Sequence, residues 1–513
     1  MLYVLQLLID TLFSWVRMFI ALGFSVIIGI AIGVYAAINS KAERIVIPIV
    51  DILQTLPILA FFPFAIYIIV ATLPGYVGIN AAVIFLIITS MLWNIIFGVY
   101  ESIKTIPKEY MELAELYGMS MWDRLRIIFI PASMPKVVEQ STLSWAIGLF
   151  YLVTSEIFST SNANYAVKHG IGVALTALAV SGNFAEYMIG ILIFVMFVVA
   201  TRLFFFAPLE RYFNRYNEFT GKMGAIQRTR LVINKLNITK GLASHSHRKH
   251  SPVHLHMYMQ ESVLQKTPAK RIYIAYIALG LAALMALMLD KTLMKAEIIV
   301  LVSLLASFAR VWIVFIAIVA VAIPLSVYLL FISKKPGGYM LLFQVIASIP
   351  ATILLPIIVL SLKNAPMHNE LVAFSIFFLS GIWYVVFSII SQRAYIPHNI
   401  LEVKKIFGLR GMQAWKKIYI YAILPGLLTG AVTGIAAEWN ASIVAEYFTT
   451  TAIGSGAVIT SVSIGIGKLL DTTLANGNMF LMGLGLINLT VMIIIINRFV
   501  WKRFYSKIER VYK

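Results

Sequence analysis

Long apolar runs separated by short polar stretches dominate the chain. Runs long enough to cross about 30 Å of hydrocarbon fall near residues 14–37, 45–72, 78–100, 138–158 and 186–208. After a polar gap they resume near 272–290, 299–332, 340–362, 371–391, 420–443 and 480–500. The pattern predicts an all-α polytopic membrane protein with about 11 transmembrane helices. One polar island, "EYMELAELYGMSMWDRLRIIFIPASMP" from Glu109, interrupts the first half. A worn copy, "NILEVKKIFGLRGMQAWKKIYIYAILP" from Asn399, interrupts the second.

The copy is part of a repeat. Ile106-Pro107 recurs as Ile396-Pro397, an offset of 290. Trp93 and Trp383, Glu112 and Glu402, Gly118 and Gly408, Ile128 and Ile418, Pro135 and Pro425, and Glu156 and Glu446 keep that offset. Upstream it becomes 293, as in Arg17 with Arg310, Pro57 with Pro350 and Pro63 with Pro356. Repetition on this scale outweighs any single motif. The repeating unit holds five spans, an odd number, so a direct second copy would enter the membrane upside down. The extra apolar run near 272–290 restores the orientation. Two parallel five-helix cores plus one extra helix are therefore predicted, rather than the inverted repeats of many secondary transporters. The expected domains are 1–215, a linker over 216–270, and 271–513.

Composition agrees with the pattern. Of 513 residues, 60% are hydrophobic and 12% charged, against roughly 45–50% and about 25% in soluble domains. The formal net charge of +19 would suggest nucleic acid in a soluble protein. Here it reads as basic loops held at the inner membrane face, and no nucleic acid is expected as a partner. Lys41, Arg44, Lys104, Lys108, Arg124, Arg126, Arg211 and Arg215 flank alternate loops of the first half. Lys334, Lys335, Arg393, Lys404, Lys405, Lys416, Lys417, Lys502, Arg503 and Lys507 do the same in the second. This bias places the N-terminus outside the cell membrane and the C-terminus in the cytoplasm, with both polar islands inside. No basic region precedes the first apolar run, so no removable signal peptide is predicted.

The stretch 211–271 carries twelve Lys or Arg against two acidic residues, together with His245, His247, His250, His254 and His256. It reads as a solvated basic linker near anionic lipid. No carboxylate or cysteine completes a metal site, so none is expected. The chain contains no cysteine, which removes disulfides and thiolate ligands. No nucleophile–base constellation stands out, and no catalytic residue is expected. His169, His368 and His398 read as structural or solvated.

Tyr110, Ala114 and Gly118 recur at intervals of four and share a helix face. Small residues on one face permit close approach by another surface, and this face is expected to press on a partner. Gly118 is a natural helix C-cap. "MSMWDRLRIIFIP" then reads as a second short helix that stops at Pro131. The spacing of Glu112, Ala114, Gly118, Ile128 and Pro131 resembles the coupling-loop motif of binding-protein-dependent ABC importer permeases. The second copy keeps Glu402, Gly408, Ile418 and Pro425 but has Lys404 for Ala114 and Tyr421 for Pro131. The resemblance covers nearly the whole chain outside the linker. It implies type I importer permease cores, two ABC ATPase subunits docked on the two islands, and an extracytoplasmic substrate-binding protein. It also implies that ATP and Mg²⁺ sit on the partner ATPase. The sequence has no G-x-x-x-x-G-K-[ST] loop of its own, so no cofactor is expected in this chain.

"AAEWNASIVAEYF", "IWYVVFSII" and "NRFVWKRFY" resemble the duplicated permeases of anion importers, relatives of nitrate, sulfonate, taurine and bicarbonate permeases. The resemblance implies a small anionic substrate. Fused permeases for thiamine or ferric ion are the alternative, then an ATP-independent secondary transporter or channel, then a membrane scaffold. Gln54, Gln344, Trp439, Asn440 and Ser442 are candidate path residues, with Arg17 and Arg310 as charges near the outer ends of inward-running helices. A charge there snorkels, packs or faces a cavity. Glu156 and Glu446 are expected to pair with Arg or cap a helix rather than touch substrate.

Overall fold

A computed structural model describes residues 2–55, 58–73, 75–159, 167–213, 291–333, 343, 346–347, 349–391, 406–409, 411–450, 457–496, 500–501 and 504. The first half contains α1 (Leu2–Ile38), α2 (Ser40–Thr55), α3 (Ile58–Thr72), α4 (Tyr76–Lys104), α5 (Lys108–Leu116), α6 (Met121–Arg124), α7 (Ile130–Ser159), α8 (Ile171–Val180), α9 (Phe184–Thr201) and α10 (Ala207–Phe213). The second contains α11 (Lys291–Val327), α12 (Ala351–Ser361), α13 (His368–Ser391), α14 (Gly411–Ala414), α15 (Ile420–Glu446), α16 (Ile466–Ala475) and α17 (Met479–Ile496). A small antiparallel hairpin, β1 (Tyr447–Thr450) with β2 (Ala457–Ser461), is inserted after α15.

Seven helical stretches among the described residues are long and apolar enough to cross a bilayer. Large apolar side chains on α1, α9, α11 and α17, such as Ile27, Leu192, Ile316 and Ile487, are exposed on their outer faces. In a protein of this composition those faces meet lipid rather than water. Buried between the helices are Met18, Leu86, Ile87, Met91 and Leu149 in the first half, and Val311, Phe377, Val385 and Trp439 in the second.

Two expectations are corrected here. The run 45–72 is not one span: it is divided between α2 and α3, with α2 beginning at Ser40. Glu43, near the start of α2, accepts from the Tyr100 hydroxyl at 2.6 Å and from Lys104 Nζ at 2.7 Å. Burial works to raise the Glu43 carboxyl, but Lys104 and Tyr100 outweigh it and hold it below its ordinary value. Second, no helix stops at Pro131. A wide π-helical turn, Leu125–Phe129, carries α6 into α7, so Pro131 lies within a continuous helix, directly after that distortion of its hydrogen-bond ladder. The offset also changes once more, after the segment between α7 and α8. α8 and α16, and α9 and α17, correspond end to end at 295. The segment carrying the hairpin is five residues longer in the second half. The predicted run 272–290 and most of the linker lie outside the described residues.

The π-turn recurs as Trp415–Tyr419 between α14 and α15, and further ones follow α9 (Arg202–Phe206) and α11 (Tyr328–Ile332). The same distortion in both copies marks it as part of the repeating design. The halves also exchange helices. α3 packs on α15 and α16, while α12 packs on α7 and α8. Asn440 Oδ1 accepts from the Ile58 backbone N–H at 2.8 Å across this boundary. The Tyr187 hydroxyl donates to the Ile353 carbonyl on the other side.

Candidate functional site

Pro107 starts α5 by fixing an extended backbone, φ −56° and ψ 140°. Gly118 ends it with φ +61°. Met119 N donates to Ala114 O at 2.9 Å and Gly118 N to Glu115 O at 3.0 Å, which is a Schellman closure. Ser120 then opens α6 with a capping box: Asp123 N donates to Ser120 Oγ at 3.2 Å, and Ser120 N to Asp123 Oδ2 at 3.2 Å. Arg124 Nε donates back to Met119 O at 3.1 Å. The helix–turn–helix is therefore closed by its own backbone and needs no partner to hold its shape.

Its faces are not arranged as the sequence suggests. Ala114 is 2% exposed and lines a groove of about 280 Å³ with Ile106, Pro107, Tyr110, Ile128 and Pro131. Of the face formed by Tyr110, Ala114 and Gly118, only Ala114 is buried; Tyr110 and Gly118 are exposed. Glu112 and Gly118 are exposed, while Ile128 and Pro131 are half-buried. Outward stand Leu116, 81% exposed, with Tyr117 and Trp122.

In the second copy Gly408 repeats the positive φ, at +59°. Ile418 and Pro425 are buried; Glu402 and Lys404 lie outside the described residues. Ile406, 78% exposed, with Phe407 and Met412 stand outward. These three occupy the places of Leu116, Tyr117 and Trp122 at the offset of 290. Sequence reading missed this trio, although the offset itself carries the signal: three apolar residues recur in a segment otherwise polar.

A second constellation joins the first half of α1 to the C-terminal end of α7. Arg17 is 3% exposed and Glu156 0%. Arg17 Nη1 donates to Glu156 Oε1 at 2.7 Å, Nε to Asn80 Oδ1 at 2.8 Å, and Nη2 to His169 O at 2.6 Å. Ser14 Oγ donates to Glu156 Oε1 at 2.6 Å and accepts from Ile171 N at 2.9 Å. Glu156 Oε2 accepts from Gly172 N at 2.8 Å. The carboxylate thus caps the N-terminus of α8, where backbone N–H groups and the helix dipole favour negative charge. At the rim, His169 Nδ1 lies 3.0 Å from Asp10 Oδ1.

The second half repeats the arrangement. Ser307 Oγ donates to Glu446 Oε1 at 2.5 Å, Ile466 N to Ser307 Oγ at 2.8 Å, and Gly467 N to Glu446 Oε2 at 2.7 Å. Arg310 Nη1 reaches Glu446 at 3.2 Å and Ile464 O at 2.6 Å. Its Nε and Nη2 grip Glu370 at 2.6 and 2.8 Å. Glu156 and Glu446 therefore both pair with Arg and cap a helix, as expected of them. Arg17 and Arg310 are engaged by these partners rather than presented to a solute.

Of the other path candidates, Asn440 bridges the halves, and its Nδ2 donates to Ala436 O at 3.0 Å. Ser442 is buried and donates to Trp439 O at 2.8 Å. Trp439 is buried with its indole N–H unpartnered. Gln54 is half-buried and engaged; Gln344 lies outside the described residues. Asp471 on α16 is nearly buried, and burial pushes its carboxyl up to about 6. Among the described residues no group of three or more His, Asp or Glu could hold a metal ion.

A family profile described as "binding-protein-dependent transport system inner membrane component" matches residues 29–215 and again 333–505. The chain is 30% identical over 135 residues to the bicarbonate transport system permease protein CmpB of Synechococcus elongatus, covering 26% of the chain and 45% of the relative. It is 28% identical over 135 residues to the nitrate import permease protein NrtB of Leptolyngbya laminosa, again 26% and 45%. It is 25% identical over 193 residues to the glycine betaine transport system permease protein OpuAB of Bacillus subtilis, 36% and 66%. The match spans about half the length of the first two relatives.

Proposed function

The chain belongs to the family of ABC importer permeases, and on that premise we propose that it supplies both transmembrane halves of one importer. ATPase subunits on separate chains dock on the two helix–turn–helix segments. Their closure reaches the membrane through the helices flanking each segment, α4 with α7 and α13 with α15. The carrying observation is the apolar trio Leu116, Tyr117 and Trp122, exposed on a self-closed turn and matched by Ile406, Phe407 and Met412. Exposed apolar residues gathered on so small an element mark an interaction surface. Glu112 belongs to its rim.

The solute is a small anion, supported by the bicarbonate and nitrate permeases among the relatives. An extracytoplasmic binding protein delivers it to the outer face. The N-terminus lies outside and the C-terminus in the cytoplasm. Asn440, which joins the halves, is the path candidate that this geometry favours. Arg17 and Arg310 are assigned to holding the outer ends of the helices together.

Leu116→Asp with Ile406→Asp should abolish ATPase binding by the purified chain, at least a hundredfold, while its thermal unfolding stays within a few degrees. Gly118→Val should leave binding measurable but uncouple ATP hydrolysis from uptake, since a β-branched residue resists positive φ. Retained binding by the double Asp variant sinks the docking proposal. Uptake of labelled nitrate, bicarbonate and glycine betaine into proteoliposomes tests the substrate, and uptake of betaine alone would overturn the anion reading.

A further inference from the structure

Glu438 stands in the second half where the first has Gly148. It is 0% exposed, and neither of its carboxyl oxygens has a hydrogen-bond partner. It projects from α15 toward α13 and α11. A Cβ added at Gly381 of α13 would stand 2.9 Å from Glu438 Oε1 and 2.7 Å from Ile318 Cδ1. The missing side chain at Gly381 is what makes room for the carboxyl.

At the offset of 290 this layer is Met91 opposite Gly148 in the first half, and the Met91 and Met18 methyl groups fill the space over Gly148. Val311 stands in the place of Met18. Met, Met and Gly in one half are thus exchanged for Val, Gly and Glu in the other. Two neighbours shrink where one residue gains a carboxyl group, so the acid sits in space shaped for it.

Among the described residues no cation balances it. On the elements packed against Glu438, Arg310 of α11 lies eight residues from Ile318, about 12 Å along the helix. Its guanidinium is taken by Glu370, Glu446 and the Ile464 carbonyl. Lys291, Lys295 and Glu297 lie further toward the start of α11, and His368 and Glu370 at the start of α13. Tyr384 is one turn from Gly381, and Glu446 and Tyr421 share α15 with Glu438. None hydrogen-bonds to it. A carboxylate anion without partner or water is far costlier in such surroundings than a neutral acid.

We propose that Glu438 is a proton-binding site, a neutral carboxylic acid in this packing that releases its proton when α13 and α15 part and water enters. In that step the O–H bond breaks, the electron pair stays on the carboxylate, and water takes the proton. Repacking reverses it. α13 and α15 flank the second docking segment, so the opening rests on the function proposed above; the neutral acid does not.

The full chain in lipid nanodiscs at neutral pH tests the site by infrared spectroscopy. Glu438→Gln should remove one protonated-carboxyl C=O band, recognisable by its shift in D₂O. An unchanged band in the Gln variant overturns the proposal. The chain has no cysteine, so Glu438→Cys gives a single thiol. A water-soluble maleimide should label it at least tenfold faster with ATPase subunits and ATP than without. Equal rates, on samples where ATPase binding is measured and intact, overturn the release step and with it the proposal. Absent ATPase binding counts against the docking reading instead, and the infrared result still decides whether Glu438 holds a proton.

Discussion

Arg17 and Arg310 occupy the same place in two copies of one cluster, yet they meet different neighbours. Each donates to a buried Glu that caps the next short helix, and each reaches a backbone carbonyl. Each Glu also takes a Ser hydroxyl, from Ser14 or Ser307. The remaining guanidinium edge meets neutral Asn80 in the first half and the Glu370 carboxylate in the second. The first half has its extra acid elsewhere: Asp10 faces the His169 ring at the rim. The shared part is what the geometry demands, an anion at a helix N-terminus with a cation to balance it. The varied part is what meets the second acid, the same Arg or a separate His ring.

Removing the cation tests that reading with the largest effect. Arg17→Met leaves Glu156 buried and unpaired, which costs about 3–5 kcal/mol. Arg310→Met leaves Glu446 in the same state and Glu370 with less support. It should be at the upper end of that range or beyond, although Glu370 is 28% exposed and water relieves part of its loss. Adding Glu156→Gln to Arg17→Met, or Glu446→Gln to Arg310→Met, should recover part of the loss. Thermal unfolding in detergent, read as a double-mutant cycle, gives the coupling. Singles that add without coupling would mean the pairs do not hold the helices together.

A smaller difference separates the helices that the clusters cap. Thr176 of α8 donates to the Gly172 carbonyl at 2.8 Å; Asp471 takes its place on α16 at the offset of 295. Burial raises the Asp471 carboxyl from 3.8 to about 6. A group raised on folding contributes its full stability below its unfolded value and loses it as pH rises through the folded one. The second half should therefore weaken between about pH 4 and pH 6 by about 3 kcal/mol, at roughly 1.4 kcal/mol for each tenfold change in proton affinity. Asp471→Asn should match the parent chain at pH 4 and exceed it above pH 6. Thr176→Asp should bring the same pH sensitivity to the first half. Parallel pH profiles for parent and Asp471→Asn would remove Asp471 from the comparison.

Much of this was legible in the sequence, and the limits are physical. The repeat, the all-α membrane class, the Gly118 turn and the pairing of Glu156 and Glu446 with Arg follow from offsets and from the cost of burying charge. The division of 45–72 into α2 and α3 did not, because hydropathy alone does not register a break inside an apolar run. The π-turn before Pro131 did not, because proline ends most helices and the sequence does not reveal that a wider turn has placed it where it is tolerated. The burial of Ala114 was not legible for a different reason. Periodicity tells which residues share a face, not which of them the fold covers. Glu438 passed unremarked inside an apolar helix, since the compensation at Gly381 is visible only when the two halves are compared layer by layer.

The smallest expected effect concerns the rim. His169 engages the cluster through its backbone carbonyl, which accepts from Arg17 Nη2 at 2.6 Å. Ile464 offers the same carbonyl to Arg310 with an aliphatic side chain and no acid opposite, Ser303 standing where Asp10 does. The His169 ring is 39% exposed, stacks on Phe13 at a centroid distance of 5.1 Å, and faces Asp10. His169→Ile keeps the carbonyl and most of the apolar contact, and Gln6 Nε2 still donates to Asp10 at 3.2 Å. The change should cost no more than about 1 kcal/mol, the net worth of a single hydrogen bond. A loss as large as that of Arg17→Met in the same unfolding assay would reverse the assignment. The Asp10–His169 pair, rather than the carbonyl, would then be what holds the first cluster, and the two halves would be stabilised in different ways.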